Sequence, residues 1–302
     1  MIPYGSLVVY VTPKGRRYTK KLTEGQDWHS NDGALSAADV ARCDFGSVIY
    51  TNQQVPIQVM EATLYDRLKT LKRQTQIIYP KDIAYICLRL GAGPGRTIIE
   101  AGCGSGGLTT GLSWFCGPTG RVVSHEAREE FMALARRNLE WAGVGQNVEL
   151  HHRDVAEGLA VTGADALFLD VRTPWEYLDH ALAAVRPGAS FGFLLPTVDQ
   201  VSKLLLGLER GPFADVEVCE ILIRRWKPVA DRLRPEDRMN AHTGFLVFAR
   251  QQERNQDFES RKPLGTRERK QEAARLARLG LDSAAPQDGP AARDMTEDQN
   301  LA

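Results

Sequence analysis

The 302-residue chain has no uninterrupted apolar run near the ~18 to 20 residues that a membrane-spanning helix needs. Its first residues, Met1-Ile2-Pro3-Tyr4-Gly5, lack the basic start and apolar stretch of a secretory leader. A cytoplasmic protein is expected from these absences. Paired cysteines are missing too. Cys43, Cys87, Cys103, Cys116 and Cys219 are scattered and odd in number, which argues against a disulfide framework, and no Cys-x-x-Cys spacing offers a metal site. Charge of one sign is also lacking, since 38 Lys and Arg balance 38 Asp and Glu. Bulk charge therefore does not announce a polyanionic partner.

The distribution of that charge says more than its sum. Residues 1 to 90 carry 12 Lys and Arg against 8 Asp and Glu, densest in Arg67-Leu68-Lys69-Thr70-Leu71-Lys72-Arg73. Such a run is either a solvated helix face or a strip of phosphate contacts. After Gln251 large apolar residues almost vanish in favour of charge, Ala, Gln, Pro and Asp. A charged, disordered tail over 251–302 is expected, with one helix candidate at Thr266 to Leu279.

Three regions follow. Residues 1–60 read as a small β-rich domain, with strands at Ser6 to Val11, Arg16 to Thr19 and Ser47 to Thr51 between short turns. Residues 61–250 read as a larger α/β domain. It opens with helices at 61–73 and 81–90, the second entered through Pro80 and apolar at Ile83, Ile86, Cys87 and Leu90. Strands are expected at Arg96 to Ala101, Arg121 to Glu126, Val148 to His151, Ala166 to Asp170, Ser190 to Leu195 and Val216 to Ile223, mostly separated by helical lengths. This alternation implies a doubly wound parallel sheet. A last strand, Thr243 to Ala249, follows a Pro- and Arg-rich stretch and most simply returns antiparallel.

The first of these strands ends in Glu100-Ala101-Gly102-Cys103-Gly104-Ser105-Gly106-Gly107-Leu108-Thr109. Glycines let a turn pass close beneath a ligand because no Cβ intrudes, and the helix that follows presents unpaired N–H donors. A glycine turn alone also fits a dinucleotide or nucleoside site. The acids around it are more selective. Glu100 precedes the glycines, Glu126 ends the next strand where a carboxylate can accept from both ribose hydroxyls, and Asp154 follows the third strand, within reach of an adenine amino group. This succession resembles the S-adenosylmethionine site of class I methyltransferases.

Asp170 ends the fourth strand, beside the expected methyl donor, and is followed by Val171-Arg172-Thr173-Pro174-Trp175. Here a narrower resemblance enters. Arg73-Gln74-Thr75-Gln76-Ile77-Ile78-Tyr79-Pro80-Lys81-Asp82, the glycine motif, Asp170 with Pro174-Trp175, and His242-Thr243-Gly244-Phe245-Leu246-Val247-Phe248-Ala249 together resemble the tRNA (adenine-58-N1)-methyltransferases. Lys14 to Tyr18 and Met60 to Leu64 match as well, so the likeness covers roughly residues 4 to 250. It departs at Arg172, where the family commonly has a proline, and at Cys103, where threonine is frequent.

The resemblance implies S-adenosylmethionine as cofactor, tRNA as partner, methylation of adenine 58 (in some relatives also 57) and a homotetramer. It implies cofactor contacts from Gln76, Glu100, Gly102, Gly104, Ser105, Gly106, Gly107, Leu108, Glu126, Asp154 and Asp170. Asp170 is also the expected catalytic group. Tyr79, Trp175 and His242 are expected at the substrate, with core packing the alternative for Trp175 and a structural hydrogen bond for His242. Two other readings stay open: a methyltransferase of small corrin-like molecules, and a non-catalytic tRNA-binding subunit.

Overall fold

A computed structural model describes residues 1–74 and 77–253, together with Lys270, Gln271 and Ala274. The chain divides into two compact units, Met1–Arg254 and Asn255–Ala302. The expected helix and charged tail at the C-terminus lie almost wholly outside the described residues.

The first unit begins with β1 (Leu7–Val11), β2 (Arg17–Lys21), β3 (Trp28–Ser30), β4 (Gly33–Leu35), α1 (Ala37–Arg42), β5 (Val48–Tyr50) and β6 (Pro56–Glu61). Four of these strands form an antiparallel sheet in the order β2-β1-β6-β5. β1 is apolar throughout because two layers cover its two faces. Side chains alternate along a strand, so Val8 and Tyr10 enter a local core with Ile57, Val59 and Trp28, while Leu7 and Val9 meet Ala62 and Trp141. Trp141 belongs to the larger layer, so β1 joins the two. The sequence pattern did not reveal β3, β4, α1 or β6.

After β6 come α2 (Leu64–Thr70) and α3 (Pro80–Leu90). The helix expected over 61–73 is shorter at both ends. β6 holds Glu61, and a capping box fixes the start: Thr63 Oγ1 accepts from the Asp66 N–H, and Asp66 accepts from the Thr63 N–H. Leu71, at φ −57° and ψ 140°, leaves the helix. Asp66 also receives Arg17 Nη2 at 3.0 Å, tying β2 to α2. α3 buries Ile83, Ile86, Cys87 and Leu90, the face expected from spacing.

The rest alternates: β7 (Thr97–Ala101), α4 (Gly107–Cys116), β8 (Arg121–Glu126), α5 (Glu129–Ala142), β9 (Val148–His152), β10 (Ala164–Leu169), α6 (Leu178–Ala184), β11 (Val185–Leu195), α7 (Val198–Arg210) and β12 (Phe213–Cys219). A small hairpin, β13 (Trp226–Lys227) with β14 (Arg234–Pro235), precedes β15 (Phe245–Gln251). The large sheet has the order β12-β15-β11-β10-β7-β8-β9. β9, β8, β7, β10 and β11 run parallel, and β15 is antiparallel to both β11 and β12, as the sequence implied.

Two expectations shift. The strand placed at Val216 to Ile223 occupies Phe213–Cys219. Phe213 is buried edge-on against Phe191, with centroids 5.1 Å apart, and that anchor sets the register against β15. Residues 220–225 leave the sheet despite their β-favouring Ile-Leu-Ile. Between β9 and β10 the helical length holds only a single 3-10 turn, Val155–Glu157, capped by Asp154.

Candidate active site

The chain reverses after β7 in a turn over Gly102 to Gly106 that leads into α4. His125, one residue before the end of β8, fixes this turn from below. Its carbonyl accepts from the Gly102 N–H at 3.0 Å and from the Cys103 N–H at 3.1 Å. Its Nδ1 faces the Glu100 carbonyl, while Nε2 accepts from the Ala160 N–H at 3.0 Å. The ring is therefore neutral, with its proton on Nδ1. Burial, the main cause, pushes its pKa down to about 4.

A cavity of about 340 Å³ opens above the turn, within the range of small-molecule sites. Gly102, Gly104, Glu126, Asp154 and Asp170 line it, joined by Arg128, Arg172 and Tyr177. The three carboxylates come from the ends of β8, β9 and β10, where a doubly wound sheet binds its ligands. Glu126 Oε2 accepts from the Gly104 N–H at 2.8 Å and Oε1 from the Arg128 N–H at 3.1 Å, with Arg128 Nε 3.6 Å from Oε1. Asp154 accepts from the Ala156 N–H at 2.9 Å and is otherwise exposed to the cavity. Asp170 is set by its own N–H, which donates to the Ala101 carbonyl at 2.9 Å. Burial, and then the Glu126 carboxylate, push its pKa up to about 7.

Other residues of the glycine motif lie beneath the cavity. Glu100 is fully buried, and its Oε2 accepts from the Thr109 and Ser124 hydroxyls, each at 2.6 Å. It braces β7, β8 and α4 against each other. Burial raises its pKa to about 7 despite those two hydrogen bonds. The sign follows directly: stability is greatest while Glu100 is protonated and falls as pH rises from the ordinary carboxylate range through about 7. Glu100→Gln keeps an acceptor for both hydroxyls, so thermal melts should show a smaller loss of Tm between pH 5 and 8 than the parent. An unchanged pH dependence would remove this role.

Ser105 is buried as well. Its hydroxyl faces the Gln74 N–H at 3.4 Å, and its carbonyl accepts from Asn138 Nδ2 at 2.7 Å. Gly106, at φ +79°, caps α4 against Ala135, and a Cβ on Gly107 would touch Ile77 at 3.6 Å. Leu108 packs into the core beneath α4. Gln76 lies outside the described residues.

The expected substrate residues separate. Tyr79 caps α3 and lines a second cavity of about 260 Å³. Trp175 reaches neither cavity. It sits against Gly207 of α7, with Lys203 Nζ 5.5 Å from its ring centroid, so the packing alternative describes it. The 3-10 turn at Pro174–Glu176 turns Trp175 toward α7 and presents Tyr177 to the cavity instead. Gly207, the small residue opposite Trp175, was the available signal. His242 also lies outside both cavities. Its Nδ1 meets Glu220 at 2.6 Å and its Nε2 the Pro196 carbonyl at 3.3 Å. Both partners are acceptors, which suits the imidazolium, and the Glu220 contact leads in raising its pKa. The neighbouring Thr243 does join a motif distant in sequence. Lys81 Nζ contacts Asp82 at 2.8 and 2.9 Å and Thr243 Oγ1 at 2.6 Å, and Thr243 donates to Asp82 at 3.0 Å.

Five parallel strands closed by an antiparallel β15, with a glycine turn and carboxylates at the strand ends, define a class I methyltransferase. Residues 57–234 match the family described as "tRNA methyltransferase complex GCD14 subunit", and the chain belongs to that family. It is 33% identical over 238 residues to the tRNA (adenine(58)-N(1))-methyltransferase TrmI of Thermus thermophilus, covering 78% of this chain and 93% of that one. Among solved structures it resembles a SAM-dependent O-methyltransferase of Thermotoga maritima, with TM-score 0.79, 36% identity and coverage of 84% and 96%. It also resembles the tRNA (m1A58) methyltransferase TrmI of Aquifex aeolicus, with TM-score 0.73, 36% identity and coverage of 84% and 99%.

Proposed function

We propose that this protein transfers a methyl group from S-adenosylmethionine to N1 of adenine 58 in the T-loop of tRNA. The observation that carries the reading is Asp170, half-buried at the end of β10 and facing the same cavity as Glu126 and Asp154. The cavity fits the cofactor. Gly102 is pressed so closely on the Asp170 backbone that any side chain would close the floor, and the Glu126, Asp154 and Asp170 carboxylates line the space. Glu126 would hold the ribose hydroxyls and Asp154 the adenine amino group. When bound, S-adenosylmethionine supplies an electrophilic methyl group.

The nucleophile, adenine N1, has a free lone pair once the base is exposed, so no strong base is needed. Leaving the stack costs a few kcal/mol. As the new N–C bond forms, the ring becomes cationic. Asp170 would accept from the exocyclic amino group and stabilise that charge, a preorganised electrostatic contribution. Positioning supplies much of the remaining rate. The family relationship and the N-terminal sheet favour tRNA over a small corrin-like substrate. An intact set of cavity carboxylates favours a catalytic over a non-catalytic subunit.

Homotetrameric assembly in the cytoplasm belongs to the same reading. β12 is an edge strand with Val216 and Val218 exposed, and Leu222, Trp226, Val229 and Leu233 beyond it are more than half exposed. Unpaired apolar edges of this kind mark association surfaces. No helix among the described residues is long and apolar enough to cross a membrane.

The test is nucleoside mass spectrometry of an unmodified tRNA transcript incubated with protein and labelled S-adenosylmethionine. A transcript with guanine in place of adenine 58 runs in parallel. Labelled N1-methyladenosine that disappears with the replacement is expected, and any residual label is mapped to position 57. Cofactor binding without labelled tRNA would overturn the reading. Sedimentation velocity of the same preparation tests assembly, where a lone 33.5 kDa species would discard it.

A further inference from the structure

The second cavity differs in chemistry from the first. Three carboxylates and three arginines, Arg128, Arg153 and Arg172, face the first, whereas the second is lined by Tyr65, Lys69, Tyr79, Lys81, Arg225 and Arg238, with Glu236 its one carboxylate. Lys81 is already answered by Asp82. The other cations are not. Among the described residues Lys69 and Arg238 have no carboxylate within 4.0 Å, and Glu236 forms no ion pair. The Arg225 guanidinium donates to the Tyr65 hydroxyl at 3.0 Å and lies 6.0 Å from the ring centroid, so it is aimed by a tyrosine and not neutralised.

In a chain of zero net charge, three uncompensated cations around one hollow with two tyrosines form a local anion site with aromatic surfaces. That combination suits a nucleotide: cations take the phosphate, and tyrosines offer faces for a base. At about 260 Å³ the hollow is on the scale of one nucleotide and far smaller than a duplex groove. Its position is equally specific. The strap Ile77 to Tyr79 passes the start of α4, where a Cβ on Gly107 would lie 3.6 Å from Ile77 Cβ and 3.9 Å from the Ile78 carbonyl. The same strap therefore borders the glycine turn on one side and, through Tyr79, the second cavity on the other. The hollow is anchored as well, because Lys81, Asp82 and Thr243 clamp its base.

We propose that this second cavity is a nucleotide subsite holding the phosphate and base of an unpaired RNA residue next to the adenosine being methylated. The proposal rests on the tRNA methyltransferase reading. Lys69 and Arg238 bind the phosphodiester, Arg225 is presented to it by Tyr65, and the tyrosines stack on the base. Threading a neighbouring nucleotide through this hollow fixes the target base over the first cavity.

The experiment uses the full chain, tRNA transcripts carrying 2-aminopurine on either side of the target adenosine, and two variants, Lys69→Gln/Arg238→Gln and Tyr65→Leu. For the double variant, tRNA affinity is expected to fall about tenfold near physiological salt, with the log–log salt dependence flattened by about 0.7 per lost single-strand contact. KM for tRNA rises more than kcat falls, S-adenosylmethionine affinity is kept, and Lys69→Arg restores binding. Tyr65→Leu removes the change in 2-aminopurine fluorescence at one flanking position. Wild-type tRNA affinity and salt slope in the double variant, with methylation intact, would overturn the subsite and leave the enzyme assignment standing. Loss of S-adenosylmethionine affinity in parallel with tRNA affinity would also overturn it, by showing a merely structural effect. Failure of the parent to methylate tRNA at all would remove the assignment, and the subsite with it.

Discussion

Asp170→Ala is expected to leave a folded protein that binds S-adenosylmethionine within about threefold of the parent and loses on the order of 10² to 10³ in kcat, the usual cost of removing one preorganised electrostatic group. The two effects separate because Asp170 contributes to the fold through its backbone. Its N–H pairs with Ala101, and its carbonyl packs on Gly102, and neither depends on the carboxylate. The side chain instead faces a cavity shared with Glu126, and the two carboxylates repel.

The pH profile carries the same argument. Burial holds the Asp170 pKa up at about 7, and only the ionised form carries the negative charge that stabilises a cationic ring. The kcat of the parent should therefore rise with pH through about 7 and level off above it. Asp170→Asn should be slow at every pH and lose that limb. An alanine variant that turned over normally, with normal cofactor binding, would end the proposed role.

Gly102→Ala should abolish cofactor binding outright. Gly102 sits at φ +92°, a conformation that L side chains rarely adopt. A Cβ there would overlap the Asp170 carbonyl oxygen and lie 2.9 Å from its carbon. Both parties are backbone, so no rotamer relieves the contact. Either the turn lifts and breaks the Gly102 N–H bond to His125, or the end of β10 retreats and carries Asp170 out of place. Strain at such a site is of order 1–3 kcal/mol before the overlap is counted.

Gly188→Ala is the control. It shares a positive φ of +74° but meets nothing within 4 Å, so it isolates the conformational cost. Isothermal titration should show cofactor binding in Gly188→Ala and none in Gly102→Ala. Equal affinities would mean that the close approach of Gly102 to Asp170 does not shape the site.

The parallel alternation, the antiparallel return of β15, the glycine turn and the acids at successive strand ends are legible in the chain alone. These are local matters. Strand and helix periods are written in consecutive residues, and a doubly wound sheet places whatever follows a strand at its ligand-binding edge. Glu126, Asp154 and Asp170 were legible for that reason, and they line one cavity. Glu100 was legible as part of the pattern but not in its place, because burial under a turn depends on which strands flank β7.

Tertiary structure decided what depends on residues far apart. It turned Trp175 toward Gly207 and left Tyr177 facing the cavity, a choice made by a single 3-10 turn packed on α7. It took both ring nitrogens of His242 for Glu220 and Pro196. It also assembled the second cavity from two distant segments: Lys69 and Tyr79 on one side were legible as candidates for phosphate and substrate, but nothing in the sequence pairs them with Arg225, Glu236 and Arg238. Their meeting is fixed by the Lys81–Asp82–Thr243 cluster across some 160 positions of chain. A local signal specifies a residue's element and face, but which distant face it meets is settled only when the layers pack.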